Sequence, residues 1–290
     1  MKVLVLGVTG MLGSTVFKEL SKDKALDVWG TLRSKSGLHY FASDTRANLL
    51  CNVDVLDNDS LVSLITKIRP EVVINCVGLI KQLADASEPL SVLPINSMLP
   101  HRLSKLCALS NSRLIHISTD CVFNGKKGNY LEEDISDAED LYGRSKYIGE
   151  IVNQPHVVTL RTSIIGHELD SKSSLVDWFL SQEVSVKGYK NAIFSGLTTV
   201  ELAGVIKNYV LPKSNLSGLY HVSVDAIDKY SLLNLIAKVY GKKIEISIDE
   251  EVYINRSLNS TKFQKSTGYR MPSWNNLIEK MYANKLRCTK

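Results

Sequence analysis

The sequence has little sulfur, and what it has is not patterned. Its five cysteines, Cys51, Cys76, Cys107, Cys121 and Cys288, are scattered along the chain. They show neither the close pairing of a metal site nor a disulfide framework, so reduced, mostly buried thiols and no metal are expected. No apolar run is long enough to cross a bilayer. No run of Lys and Arg forms a nucleic-acid tail. The opening "MKVLVLGVTG" has a lysine and a short apolar run, but a glycine turn follows where a leader would carry a small-residue cleavage site. A cytoplasmic protein with no membrane and no nucleic-acid partner is the expectation. Repeats, low-complexity tracts and a clear interdomain linker are also missing.

What is present is a globular composition. The 290 residues are 44% hydrophobic and 22% charged, with a modest net charge of +5, which suits one large domain or a domain with a smaller lobe. The first half alternates apolar strands with helical patterns. "KVLVLG", "LDVWGTLR", "NLLCNVDV", "EVVINCVG", "RLIHISTD" and "HVVTLRT" read as strands. Between them lie helical segments, one N-capped by Asp57, one over roughly 94–110 and one over 142–153. Strands apolar on both faces and separated by helices predict an α/β, Rossmann-type doubly wound parallel sheet. The second half is less regular. "SLVDWFLSQ", "TTVELAGVIKNYVL" and "KYSLLNLIAKVYG" read as helices, and "GLYHVS" and "KIEISI" as strands. The expected division is a cofactor domain over 1–162, joined by 193–223, and a smaller C-terminal substrate-binding lobe over 163–192 and 224–290.

"GVTGMLG" follows the first strand and opens a helix. Gly7 permits the tight turn, Gly10 lets backbone N–H groups approach a pyrophosphate, and Gly13 allows close helix–strand packing. Thr9, Met11 and Leu12 share that turn. About 20 residues further on, an NAD-type site carries an acid for the ribose hydroxyls. Here the sequence reads "GTLRSKS", with Arg33 and Lys35 and no acid. A guanidinium there favours a 2′-phosphate, so NADPH is the expected cofactor and NADH the alternative. Asp54 and Val55 are candidates to flank the adenine. Cys76, Val77 and Gly78 are candidates to pass beneath the ribose and pyrophosphate.

Strand five ends "HISTDCVFNG", where an open α/β sheet places its chemistry. The next helix carries Tyr142 and Lys146, an i, i+4 pair on one face. An ammonium near a phenol is expected to lower the phenol's pKa. Tyr142 can then protonate a carbonyl oxygen as hydride reaches its carbon. Lys146 can hold the nicotinamide ribose, and Thr119 can bond the same oxygen.

Taken together, "GVTGMLG", "STDCVFNG" and "YGRSK" resemble the extended short-chain dehydrogenase/reductase superfamily. More narrowly, "STD-x-VF-x-G" with "YG-x-SK-x-GE" resembles the dTDP-4-dehydrorhamnose reductase family. The later "LRTSIIG", "FSGLTTVELA" and "GLYHVS" extend the likeness over nearly the whole chain. The resemblance implies Thr119, Tyr142 and Lys146 as a catalytic trio with Asp120 beside them. It also implies reduction of a 4-keto-6-deoxy sugar on a nucleoside diphosphate, for surface polysaccharide synthesis. The sequence departs from that family at "NCVGLIKQ" and "SIIGHEL", regions that should face the sugar. A UDP-linked 2-acetamido-2,6-dideoxy-4-ulose is therefore as good a substrate as the rhamnose precursor.

A sugar nucleotide needs cations for its diphosphate. Arg161 and Arg256 are the candidates, and Lys81 is placed to reach sugar or phosphate. Asn96 resembles an asparagine that supports the active-site lysine through water. Cys121 stands where GDP-fucose synthase also carries a cysteine, which keeps an epimerase or epimerase-reductase open, although a small packing side chain is the favoured reading. Trp178 and Trp274 are expected to pack the lobe core, and His167 to be no ligand. A homodimer is one assembly the sequence allows. The methionine adenosyltransferase beta subunit shares this fold, so a non-catalytic NADP-binding regulatory subunit is the other alternative.

Overall fold

The computed structural model describes residues 1–80 and 87–288. Its centre is a seven-stranded sheet built from β1 (Lys2–Leu6), β2 (Asp27–Thr31), β3 (Leu49–Leu50), β4 (Val72–Asn75), β5 (Arg113–Thr119), β6 (Val157–Thr162) and, from much later in the chain, Gly218–His221. All its pairings are parallel. In space the order is Gly218–His221, β6, β5, β4, β1, β2, β3. The winding reverses between β1 and β4, which opens a crevice at the carboxyl ends of those strands.

Strand periodicity divides the core in two. Val3 and Val5 of β1 face a cluster with Val16, Phe17 and Leu20 of α1 (Met11–Ser21). Leu4 and Leu6, on the opposite face, join Leu61, Leu64 and Ile68 of α2 (Asn58–Ile68). These side chains are buried, which is why β1 shows no polar alternation. Asp57 caps α2 by accepting from the Asp59 N–H at 3.0 Å.

Three elements differ from the sequence expectation. Strand three pairs only over Leu49–Leu50, because Asn52 takes a positive φ of 61° and turns the chain away. The helix expected over 94–110 begins earlier and is continuous: α3 (Pro89–Leu93), a π-turn over Pro94–Met98, then α4 (Leu99–Leu109). The helix bearing Tyr142 and Lys146, α5, covers only Leu141–Ile148.

The remaining strands are short. β7 (Ile164–Ile165) pairs with β10 (Leu197–Thr198), and β8 (Ser185–Tyr189) with β13 (Glu245–Asp249). β9 (Ala192–Phe194) is flanked by β12 (Ile227–Asp228) and β14 (Ile254–Asn255). β11 is the strand Gly218–His221 already placed beside β6. The later α-helices among the described residues are α6 (Leu175–Ser181), α7 (Thr199–Val205), α8 (Lys229–Tyr240), α9 (Thr261–Thr267) and α10 (Trp274–Cys288). A third cluster joins Val176 and Phe179 of α6 to Leu232, Leu233 and Ile236 of α8 and Ile278 and Met281 of α10. Leu277, the neighbour of Ile278, belongs to the main-sheet cluster, so α10 ties the two cores together.

Candidate active site

The carboxyl end of β5 turns through Thr119, Asp120 and Cys121. Thr119 Oγ1 accepts from the Cys121 N–H at 3.1 Å and donates to Asp120 Oδ1 at 3.2 Å, fixing the turn. α5 lies directly on it. A Cβ on Gly143 would stand 2.2 Å from the Cys121 carbonyl oxygen, so only glycine lets the helix approach this closely. Asp140 N-caps the helix, accepting from Gly143 N–H at 2.7 Å. The result brings the Tyr142 hydroxyl up to Thr119, which acts to lower the phenol's pKa.

Lys146 is buried one turn on and donates to the Ile117 carbonyl at 2.8 Å. Burial pulls its pKa down to about 8, against an upward pull from the Glu150 carboxylate. The expected lowering of the Tyr142 pKa is not observed. Burial pushes that phenol up, Cys121, Asp120 and Asp140 add to the rise, and Thr119 alone opposes it. The physical reason is burial, and the Lys146 ammonium is committed to a β5 carbonyl.

The glycine turn is continuous with this centre. Gly7 has φ +80°, and a Cβ on Gly13 would lie 2.2 Å from the Gly7 carbonyl oxygen, so α1 can seat on the turn only without one. Gly10 is different. A Cβ there would meet nothing nearer than 3.5 Å, so the protein itself gives no reason for glycine. Gly10 and Thr9 are exposed, Met11 is half-buried and Leu12 is in the core. The first turn of α1 has no capping side chain. That combination, an open glycine and uncapped N–H groups, fits a pyrophosphate. Arg33 is exposed just past β2. Asp54 is exposed, with Oδ1 accepting from Leu56 N–H, and Val55 is half-buried beside it. Cys76 and Val77 are half-buried and Gly78 is exposed. A Cβ on Gly7 would stand 2.9 Å from Val77, and one on Gly78 would stand 4.0 Å from Lys146 Nζ. The cofactor turn and the lysine therefore share one wall.

Asn96, in the π-turn, is buried and makes direct contacts. Its Oδ1 accepts from Leu79 N–H at 2.9 Å, and its Nδ2 donates to the Leu79 carbonyl and to Ser145 Oγ. It clamps the loop after β4 to α5.

The cations separate into two kinds. Arg256, just after β14, is half-buried, donates to the Phe123 carbonyl at 2.7 Å and reaches Cys121 Sγ at 3.9 Å. It stands at the catalytic turn. Arg161 does not. Its guanidinium is 3% exposed and forks onto Glu150 at 2.7 and 2.6 Å, over the Phe123 ring. The expectation that Arg161 binds a diphosphate is corrected: its charge is already spent on a buried carboxylate. Lys81 lies outside the described residues.

Two participants escape a sequence reading. Lys229, the first residue of α8, is half-buried; burial lowers its pKa, Asp120 and Cys121 pull it back up, and the Arg256 charge lowers it further. Glu150 lies two residues beyond the end of α5. No motif spacing marks Lys229, and Glu150, although it ends the "YG-x-SK-x-GE" pattern, is given no role by the sequence reading. Trp274 packs between clusters and donates to the Asp225 carbonyl, whereas Trp178 remains 38% exposed. His167 is bonded to Asp177 and Tyr240. Of the four cysteines whose side chains are described, only Cys107 is fully buried. Among the described residues no His, Cys, Asp and Glu cluster could hold a metal. No described helix is long and apolar enough to cross a membrane.

A family model for the RmlD substrate binding domain matches residues 1–287. The chain belongs to that family. Its fold is the Rossmann-type short-chain dehydrogenase fold: a structure of dTDP-4-dehydrorhamnose reductase from Bacillus anthracis in complex with NADP superposes with a TM-score of 0.80 at 21% identity, covering 98% of this chain and 99% of the other. Among curated proteins, methionine adenosyltransferase 2 subunit beta of Mus musculus is 29% identical over 172 residues, 58% of this chain. That alignment spans about half the length of the mouse protein, 48%. A probable low-salt glycan biosynthesis reductase of Haloferax volcanii is 29% identical over 252 residues, 83% of this chain and 81% of the relative.

Proposed function

We propose that the protein reduces the 4-keto group of a nucleoside-diphosphate 4-keto-6-deoxy sugar with NADPH. The observation that carries this reading is the approach of Tyr142 to Thr119, with Lys146 sharing a wall with the glycine turn. In this reading 1–162 and 193–223 hold the cofactor, and 163–192 and 224–290 close over the sugar nucleotide. Gly7, Gly10 and Gly13 receive the pyrophosphate, and Arg33 takes the 2′-phosphate. Bound NADPH supplies the hydride. Tyr142 supplies the proton to the carbonyl oxygen. The rise in its pKa keeps the phenol protonated at neutral pH, which is the form a proton donor needs. Thr119 orients the same oxygen, and Lys146, on the wall it shares with the glycine turn, holds the nicotinamide ribose. Asp120, Arg256 and Lys229 form the polar rim that receives the sugar and its diphosphate. The Bacillus anthracis relative, solved with NADP, and the Haloferax reductase support this reading.

The test is NADPH with a panel of dTDP-, UDP- and GDP-4-keto sugars, following loss of reduced-nicotinamide absorbance. Turnover with at least one supports the reading, and none with any refutes it. A second reading, a non-catalytic NADP-binding subunit, is favoured by the methionine adenosyltransferase relatives. It requires cofactor binding with no turnover.

A further inference from the structure

We propose that His116 is a positioning residue for the dinucleotide: through Asn75 it sets the loop after β4 that borders the glycine turn. This role rests on the part of the proposed function that seats NADPH in the crevice, and it is independent of the sugar. It starts from a polar pair where the sheet should be apolar. Leu6, Asn75 and His116 are register partners across β1, β4 and β5. Asn75 is 1% exposed and His116 is fully buried, on the sheet face otherwise lined by Leu4, Leu6, Val73 and Leu114. A parallel sheet covered on both faces fills such positions with apolar side chains, so the two polar groups need a reason.

The ladder between β1 and β4 ends at Cys76, whose N–H donates to the Leu6 carbonyl at 3.2 Å. The next N–H, that of Val77, has left the ladder and donates to Asn75 Oδ1 at 3.1 Å. That contact fixes the amide, because its NH2 cannot face an N–H donor. Asn75 Nδ2 therefore points at His116 Nδ1, 3.3 Å away, and donates to it. Nδ1 must accept, so the ring carries its proton on Nε2. Nε2 has no hydrogen-bond partner among the described residues, which leaves Asn75 as the ring's one polar contact there. Burial, with the Lys146 and His101 charges, holds the ring neutral, as an acceptor at Nδ1 requires. The loop is gripped a second time at Leu79, by both ends of the Asn96 amide. Between the two grips, Val77 lies against the glycine turn, where a Cβ on Gly7 would stand 2.9 Å from its Cγ2. Freeing the Asn75 amide releases the Val77 end of a segment that touches the turn proposed to receive the pyrophosphate.

The test uses full-length protein and needs no sugar substrate. In 15N-histidine-labelled protein, the two-bond 1H–15N spectrum should show His116 with a bare Nδ1 and a protonated Nε2, the signal being identified by its loss in His116→Asn. A proton on Nδ1 overturns the proposal. In fluorescence titrations, His116→Leu should weaken NADPH by about three- to tenfold, the loss of one neutral hydrogen bond. Affinity for 2′-AMP, which has neither pyrophosphate nor nicotinamide, should stay within about twofold. His116→Asn puts an amide oxygen in place of Nδ1 and should bring NADPH binding back to within about twofold of wild type. If His116→Leu does not fold, Asn75→Ala breaks the same link from the other side and should show the same split. Equal loss of NADPH and 2′-AMP in a folded variant, or loss of neither, overturns the proposal and leaves a core histidine. A wild-type protein that binds no NADPH sinks the dinucleotide reading and this role with it. Normal NADPH binding without ketosugar turnover sinks the reduction alone and leaves His116 in its role.

Discussion

The carboxyl ends of β5 and β6 lie side by side in the sheet, yet they hold their cations in opposite ways. At the end of β5, Lys146 has one carbonyl partner and a pKa drawn down to about 8. At the end of β6, Arg161 has a bidentate carboxylate, an aromatic face and a histidine. The contrast follows from the chemistry of the two side chains. A guanidinium is charged at any working pH and its fork matches a carboxylate, so it suits a permanent buried pair. An ammonium can lose its proton when buried, so a site that needs a tunable charge uses lysine and leaves it sparsely bonded. One strand end is built for rigidity, and its neighbour for a change of state.

The comparison can be broken from the β5 side first. Tyr142→Phe should lower ketosugar turnover by about 10²–10⁴-fold while NADPH binding, read by fluorescence titration, stays intact. Normal turnover would remove the phenol from the chemistry. On the β6 side, Arg161→Ala should leave Glu150 buried and unpaired, at a cost of about 3–5 kcal/mol in urea unfolding. If stability drops by less than about 1 kcal/mol, the pair is not a structural anchor.

A pH experiment sharpens the same contrast. His221 bonds Arg161, and burial and that guanidinium lower its pKa to about 3 from an ordinary 6.5. Between those values the unfolded chain holds a proton that the folded one lacks. This group therefore contributes stability that is present above about 6.5 and lost as pH falls toward 3. His221→Asn should flatten the pH dependence of the unfolding free energy in that window, and an unchanged slope would refute the assignment. The smallest effect is expected at the cofactor end. Arg33→Ala should weaken NADPH by roughly tenfold and leave NADH nearly unchanged, as a lost charged hydrogen bond would. Equal loss for both cofactors would mean the 2′-phosphate is read elsewhere.

The main sheet and the glycine turn were legible because their signals are local. Both faces of β1 are apolar, and Gly7, Gly10 and Gly13 keep their spacing whatever packs around them. The placement of Thr119, Tyr142 and Lys146 was legible for the same reason, as a strand end followed by a pair one helical turn apart. What failed depended on contacts across the fold. Arg161 and Arg256 look alike in sequence, and only the proximity of Glu150 to one of them tells them apart. The helix over 142–153 ends at Ile148, and the following Gly149 must pack on the π-turn, where a Cβ would stand 2.0 Å from the Asn96 carbonyl oxygen. Strands of two or three residues such as β7, β9 and β14 are too short to show a period. α10 passed unnoticed because, among its described residues, few of a polar sequence reach the cores, chiefly Trp274, Leu277, Ile278 and Met281.

The π-turn at Pro94–Met98 closes with the Leu99 N–H donating to the Pro94 carbonyl, five residues back instead of four. The helix thus carries one residue more than its winding needs, and Asn96 sits in the surplus. Deleting a single residue there would let the coil run regularly and keep Leu99 and Leu103 in phase with the core. The amide would then rotate by about 100°, a single step of the helix, and release both the Leu79 loop and Ser145. A one-residue shortening could leave this chain folded and yet uncouple the wall beneath the dinucleotide from the helix that delivers the proton.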